Sequence, residues 1–283
     1  MLNYGSRLMS KAGKKQVEDC KERTGGTELE LVDKGIANLL DVPGLLQLSN
    51  LVRLTASHNK LHAVPPSIAQ LQNLEILNLF NNQIEELPTT LSTLPKLKHL
   101  NLGMNRLSSL PRGFGSFPSL EILDLTYNNL TEKSLPGNFF YLESLRALYL
   151  GDNDMETLPP QVGQLMKLQI LVLRDNDLIA LPMEVGNLER LKELHIQGNR
   201  LTVLPPEIGK LDLSGPKMVF KGDNNPWVAP IADQLQVGVS HLLEYLRSDT
   251  YKYLYGRHIQ AGAQPPPKTT DKSKKISRKA KGK

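Results

Sequence analysis

Leucine and its aliphatic substitutes recur along this chain at one spacing, L-x-x-L-x-L-x-x-N-x-L, which barely drifts. LVRLTASHNKLHAVP begins at Leu51, LEILNLFNNQIEELP at Leu74, and LKHLNLGMNRLSSLP at Leu97. LEILDLTYNNLTEKSLP follows at Leu120, LRALYLGDNDMETLP at Leu145, LQILVLRDNDLIALP at Leu168 and LKELHIQGNRLTVLP at Leu191. The asparagines Asn59, Asn82, Asn105 and Asn128 stand 23 residues apart; Asn153 follows after 25, then Asn176 and Asn199 after 23 each. The two extra residues fall in TEKSLP, between Leu130 and Leu135. A weaker first copy, LELVDKGIANL from Leu29, has Lys34 at the asparagine position.

Alternation at the centre of each copy predicts a short strand, with Leu77 and Leu79 turned inward and Asn78 and Phe80 outward. One such strand cannot bury its apolar side alone; stacking the copies makes a continuous core. The spacing is the signature of leucine-rich repeats. It predicts an α/β fold: a leucine-rich-repeat solenoid of about eight repeats, a curved parallel sheet with helical caps at both ends. Each asparagine is placed to satisfy backbone groups in the turn after its strand, which would otherwise be buried unpaired. A second apolar ridge returns fourteen residues before the asparagines, as Ile68, Leu91, Phe114, Phe139, Val162 and Val185.

Open solenoid ends need covering. SKAGKKQVEDCKER predicts a short polar helix with Val17 and Cys20 inward, and the residues before Met9 read as a loosely attached extension. At the other end MVFKGDNNPWVAP breaks the motif, so an aromatic plug at Trp227 is expected over the last strand. Ile231, Leu235, Val239, Leu242, Leu243, Leu246 and Leu254 then fall at helical intervals, predicting one or two capping helices. The expected organisation is an N-terminal extension and polar cap over 1–26, repeats over 27–210, a C-terminal cap over 211–260 and a disordered basic tail over 261–283.

The net charge of +5 belongs to that tail. Residues 262–283 hold eight Lys and Arg against Asp271, which leaves the rest of the chain at −2 and speaks against a nucleic-acid-binding domain. The tail reads either as a solvated extension or as a basic segment making weak contact with anionic lipid or directing nuclear import. The single cysteine, Cys20, rules out an internal disulfide framework and fits a reducing compartment. No apolar run is long enough for a membrane helix. No phosphate loop, G-x-S-x-G elbow, C-x-x-C pair or H-E-x-x-H occurs. His58 and His62 cross a strand-to-turn segment, and Glu85, Glu86, Asp152 and Asp175 lie on solvated loops. Neither an enzyme, a metal nor a cofactor is expected.

Function is instead expected on the strand face. By register, one outward column reads Asn78, Asn101, Asp124, Tyr149, Val172, His195, and the next Phe80, Gly103, Thr126, Gly151, Arg174, Gln197. A third carries Met104, Tyr127, Asp152 and Asp175. Phe80, Met104, Tyr127 and Tyr149 make an apolar strip, bordered by Asn101, Asp124, Thr126, Asp152, Arg174, Asp175 and His195. Clustered apolar residues of this kind tend to mark partner surfaces, and Tyr and Arg are favoured anchors. Tyr149 and Arg174 are the expected anchors, with Asp124 orienting the partner.

The segments FNNQIEELP, LKHLNLGMNRL, LPRGFG, LDLTYNNL, SLPGNFFYL, LKELHIQGNRLTVLPPE, NNPWV, SDTYKYLYGRH and DKSKKISRK carry a resemblance over nearly everything after Met9. The chain resembles the Ras-suppressor family of intracellular leucine-rich-repeat adaptors. That resemblance implies a cytoplasmic adaptor at integrin adhesions, monomeric by itself, that binds a LIM domain of a PINCH-family protein. Through PINCH it would join integrin-linked kinase and parvin, and restrain Ras-dependent growth signalling. Direct binding of a Ras-family GTPase or its effector is the alternative.

Overall fold

A computed structural model of the chain describes residues 14–262 and 264–268. The expectations of a loose extension before Met9 and of disorder beyond residue 268 lie outside the described residues. What is described falls into two compact units, 14–145 and 146–268.

The first unit opens with helix α1 through residues 14–24, whose Val17 and Cys20 are buried as the polar pattern predicts. Five three-residue strands follow: β1 (Glu28–Glu30), β2 (Arg53–Thr55), β3 (Ile76–Asn78), β4 (His99–Asn101) and β5 (Ile122–Asp124). They pair in parallel and in chain order, with Leu29, Leu54, Leu77, Leu100 and Leu123 in one register row. All five leucines are buried, so even the weak first copy contributes a full layer.

Each strand ends in one repeated turn. The residue just before the ladder asparagine takes a left-handed conformation: His58, Asn81, Met104 and Tyr127 have φ between 53° and 58°. The asparagine then folds under. Asn105 accepts from the Ile84 N–H at 3.0 Å and donates to the carbonyls of Leu79, Leu102 and Gly103 at 3.0–3.2 Å. The Leu79 carbonyl also receives Asn82, so each amide bridges to the next and the row becomes a continuous buried ladder. The return path is a 3₁₀ turn rather than an α-helix, as suits arms of only a few residues. Ile68, Leu91, Phe114 and Phe139 are buried there, forming the second ridge. The insertion in TEKSLP closes as a 3₁₀ turn, Glu132–Ser134, in which Thr131 and Ser134 cap each other.

The second unit repeats the scheme with β6 (Ala147–Tyr149), β7 (Ile170–Val172), β8 (Glu193–His195) and β9 (Val219–Lys221). Leu148, Leu171, Leu194 and Phe220 share its inner row. Val162 and Val185 continue the ridge, and the glycines after them are required. A Cβ on Gly186 would come within 2.7 Å of the Glu207 carbonyl oxygen on the next turn.

The C-terminal end departs from expectation in two ways. MVFKGDNN adds a further repeat, because β9 pairs with β8 and Asn225 takes the ladder role, donating to Ile196 and Gly222 at 2.9 and 3.0 Å. It escapes the pattern since its strand carries Phe220 for leucine and Asn225 follows Asn199 by 26 residues. Three helices then follow in place of one or two: α2 (Ala229–Val237), α3 (Val239–Arg247) and α4 (Asp249–Gln260). Gly238 and Ser248 divide them. Ile231, Leu242, Leu243 and Leu246 are buried, while Leu235, Val239 and Leu254 are half-buried. Trp227 is half-buried too, its indole N–H donating to Gly222 at 2.8 Å. The fully buried aromatic here is Tyr251, whose hydroxyl donates to the Leu204 carbonyl at 2.6 Å and accepts from the Leu204 N–H at 3.0 Å. Burial raises its phenol well above the ordinary range, so it stays a donor.

Candidate functional site

Within the first unit, the expected residues lie on the outward strand face and in the turns beyond it. Asn101 and Asp124 are register partners of adjacent strands. Both also serve their own backbone: Asn101 Oδ1 accepts from the Gly103 N–H at 2.9 Å, and Asp124 Oδ1 from the Thr126 N–H at 2.8 Å. Such turns use an Asn or Asp oxygen to hold the chain leaving the strand. One oxygen of Asp124 therefore has a structural task in addition to any partner contact. Phe80 meets the His58 ring edge-on, 5.6 Å between centroids. A Cβ on Gly103 would stand 3.2 Å from Phe80, 3.2 Å from Asn101 Oδ1 and 3.4 Å from Asp124 Oδ1, so the three side chains converge over this glycine.

Met104 and Tyr127 are half-buried and belong to the turn rather than the strand, at the left-handed position. Asn, Asp, His or Gly fill that position in the other repeats. A left-handed backbone costs an ordinary L-residue about 1–2 kcal/mol. Two large side chains held there at that cost are a functional signal in their own right.

In the second unit, Tyr149, Val172 and His195 form one outward row. Val172 is only 6% exposed despite facing outward. Arg174 is gripped by two carboxylates: Nη2 lies 2.9 Å from Asp152 Oδ2 and Nη1 lies 2.7 Å from Asp175 Oδ2. Its stem crosses Gly151, where a Cβ would meet Arg174 Cγ at 3.0 Å. The guanidinium plane is thus fixed before any partner arrives, beside Tyr149 two residues before Gly151 on the same face. The trio carries one positive and two negative charges, so the patch is net acidic.

His195, expected among the partner-binding residues, lies next to this trio. Burial first, then Lys221, lowers its pKa, against the opposing pull of Glu193 at 3.4 Å. It is therefore a neutral ring at physiological pH. Gly103 and Gly151, both in the second outward column, lie under the two patches. Their signal is a residue without a side chain in an outward column.

His58 and His62 are both exposed, and His58 Nδ1 pairs with Asn81 Nδ2 at 2.9 Å. Glu85 pairs with Arg106 at 3.8 Å. Among the described residues, no group of three or more His, Cys, Asp or Glu is placed to hold a metal ion. None of the described helices is long and apolar enough to cross a membrane.

Comparison with known proteins agrees with this architecture. A model of the leucine-rich repeat region matches residues 114–213, and a leucine-rich-repeat model matches 49–107 and 87–130. The chain is similar to an internalin C2 structure from Listeria monocytogenes, with TM-score 0.56 and 25% identity over 66% of this chain and 79% of that one. It is similar also to a TDR receptor structure, with TM-score 0.56 and 27% identity over 65% of this chain and 32% of that one. Among curated relatives, Ras suppressor protein 1 from Homo sapiens is 71% identical and that from Bos taurus 72%, each over 96% of this chain and 98% of the relative. The one from Mus musculus is 74% identical over the same shares. With a shared repeat architecture and that level of identity along almost its whole length, the chain belongs to the Ras suppressor protein 1 family of leucine-rich-repeat proteins.

Proposed function

We propose that this chain is a non-catalytic adaptor whose strand faces bind a LIM domain of a PINCH-family protein, linking integrin adhesion complexes to restraint of Ras signalling. The observation that carries the reading is Arg174, fixed between Asp152 and Asp175 on the face that bears Tyr149. A planar cation and an aromatic ring that lose little freedom on binding are the favoured composition of an interface centre. The name of the curated relatives supports the link to Ras suppression. On this reading the protein acts in the cytoplasm at integrin adhesions, monomeric by itself, and reaches integrin-linked kinase and parvin through PINCH.

Titration calorimetry of the full chain against purified PINCH LIM domains tests it. Tyr149→Ala and Arg174→Ala should each weaken binding by roughly 2 kcal/mol, about thirtyfold. Met183→Ala, exposed on a 3₁₀ turn away from the strands, should change nothing. Unaltered affinity in both strand-face variants would refute the assignment. Binding of a Ras-family GTPase without any LIM binding would establish the direct-regulator alternative instead.

A further inference from the structure

The chain that leaves α4 turns back along the flank of the second unit, touching three successive repeats. His258 Nε2 lies 3.0 Å from Thr202 Oγ1 near the end of the helix. Arg200 Nε then donates to the Pro266 carbonyl at 2.6 Å. Beyond it, Lys268 Nζ pairs closely with Glu156 and lies 3.8 Å from Asp177 Oδ2. The Glu156 carboxylate, ahead of Asp177, holds the Lys268 ammonium above its ordinary pKa. Only 8% of the Asp177 side chain is exposed, so this acid belongs to the repeat surface rather than to a solvated loop tip.

The distances suit an extended segment. Such a chain advances about 3.3 Å per residue, against about 4.8 Å between neighbouring strands. Two residues and a lysine side chain therefore span the step from Arg200 to Glu156. The chemistry suits a proline segment as well. Proline offers a carbonyl acceptor and no N–H donor, and Arg200 supplies a donor. Consecutive prolines are also held extended before they bind, so little backbone freedom is lost. The two acids then read the lysine.

Within each unit the residue following a ladder asparagine is tied to the preceding repeat through the backbone, as Arg106 is to Ile84 and Arg200 to Leu178. In the second unit these residues are Asp154, Asp177 and Arg200, and Glu156 stands two residues beyond Asp154. Lys268 meets Asp177 of this set and Glu156 beside it.

We propose that the flank carrying Glu156, Asp177 and Arg200 is a recognition site for an extended proline-rich segment ending in lysine. In the isolated chain its own Gln264–Lys268 is the resident ligand, and a partner's segment of the same chemistry takes its place when this strap lifts. The site is separate from the strand face and does not depend on LIM binding.

A fluorescein-labelled peptide, AGAQPPPKTT, titrated by anisotropy into the full chain provides the test. The parent chain should bind weakly, because the site is already filled. Lys268→Glu, a change at a half-exposed surface residue, should release the strap and tighten peptide binding at least tenfold. Adding Glu156→Lys should return binding to the parent level or below, since the new cation repels the peptide lysine and draws the now acidic strap back. Raising salt should weaken the peptide complex of the Lys268→Glu chain. Equal affinity for the parent and Lys268→Glu chains would overturn the proposal, and so would binding that survives Glu156→Lys or a Lys-to-Glu change in the peptide.

Discussion

Replacing Asn128 with leucine would test the buried ladder at its most enclosed point. The side chain is 0% exposed and makes four hydrogen bonds. It accepts from the Leu107 N–H at 3.0 Å and donates to Leu102 and Leu125 at 3.0 Å and to Thr126 at 3.3 Å. Leucine keeps the approximate volume and removes all four. The Leu102 carbonyl retains Asn105, but the buried Leu107 N–H loses its asparagine partner, which costs about 1–3 kcal/mol. Each of the two amide donors lost adds about 0.5–1.5 kcal/mol, and the extra apolar burial offsets part of the sum. The expected net loss is about 2–4 kcal/mol, a large fraction of the stability of an ordinary domain. In urea unfolding, with a slope of about 1–3 kcal/mol/M, the midpoint should fall by about 1 M or more. Asn128→Asp is the discriminating partner. It keeps the acceptor for Leu107 but turns the donors into an anion facing three carbonyls, which raises its folded pKa above the unfolded value. Its deficit should therefore be large at neutral pH and shrink on acidification as the acid regains a donor, while the leucine deficit stays. Unchanged midpoints for both variants would mean the ladder contributes nothing, and the reasoning would fail.

Three further outcomes follow from groups described above. Tyr251→Phe removes the hydroxyl serving both Leu204 backbone groups and should cost roughly 2–4 kcal/mol in thermal or urea unfolding; a loss under 0.5 kcal/mol would show that other groups take over. Met104→Asn should stabilise the chain by about 0.5–1 kcal/mol, because asparagine tolerates the φ of 54° better; a lower melting temperature would refute a cost at that turn. His195 has a depressed folded pKa, so its stabilising share is present above about pH 6.5 and lost as pH falls through the folded value. The parent should lose more melting temperature between pH 7.5 and 5.5 than His195→Gln, and equal losses would show that another group titrates.

The repeat spacing made most of the fold legible, because a 23-residue period and a buried asparagine leave one way to stack. What escaped it was geometry within the turn. Met104, Tyr127, Asp152 and Asp175 read as a third outward column, yet they occupy the left-handed position, where side chains leave at a different angle from strand residues. Asn101 and Asp124 read as partner contacts, although each also closes its own turn. The pairing of Arg174 with Asp152 and Asp175 requires residues from two repeats in register. Adjacent columns suggest it, but spacing along the chain does not show that the stem lies across Gly151. Tyr251 was invisible for a related reason, since a tyrosine in a polar helix looks exposed until a backbone pair 47 residues away is brought to its hydroxyl.

The strap shows where composition misleads in the other direction. Consecutive prolines and dense lysines predict disorder because such a segment cannot bury enough apolar surface to fold by itself. Docking sets a lower requirement: the segment needs only a surface that supplies donors for its carbonyls and acids for its lysine. Pro266 and Lys268 find both on residues 66 to 112 positions earlier in the chain. Reading the tail alone, no pattern could reveal this. The acids that Lys268 meets, Glu156 and Asp177, come from successive repeats of the second unit, and only their stacking brings them together. The exchange of Lys268 with Glu156 therefore tests directly whether these acids hold the lysine or serve only to solvate the flank.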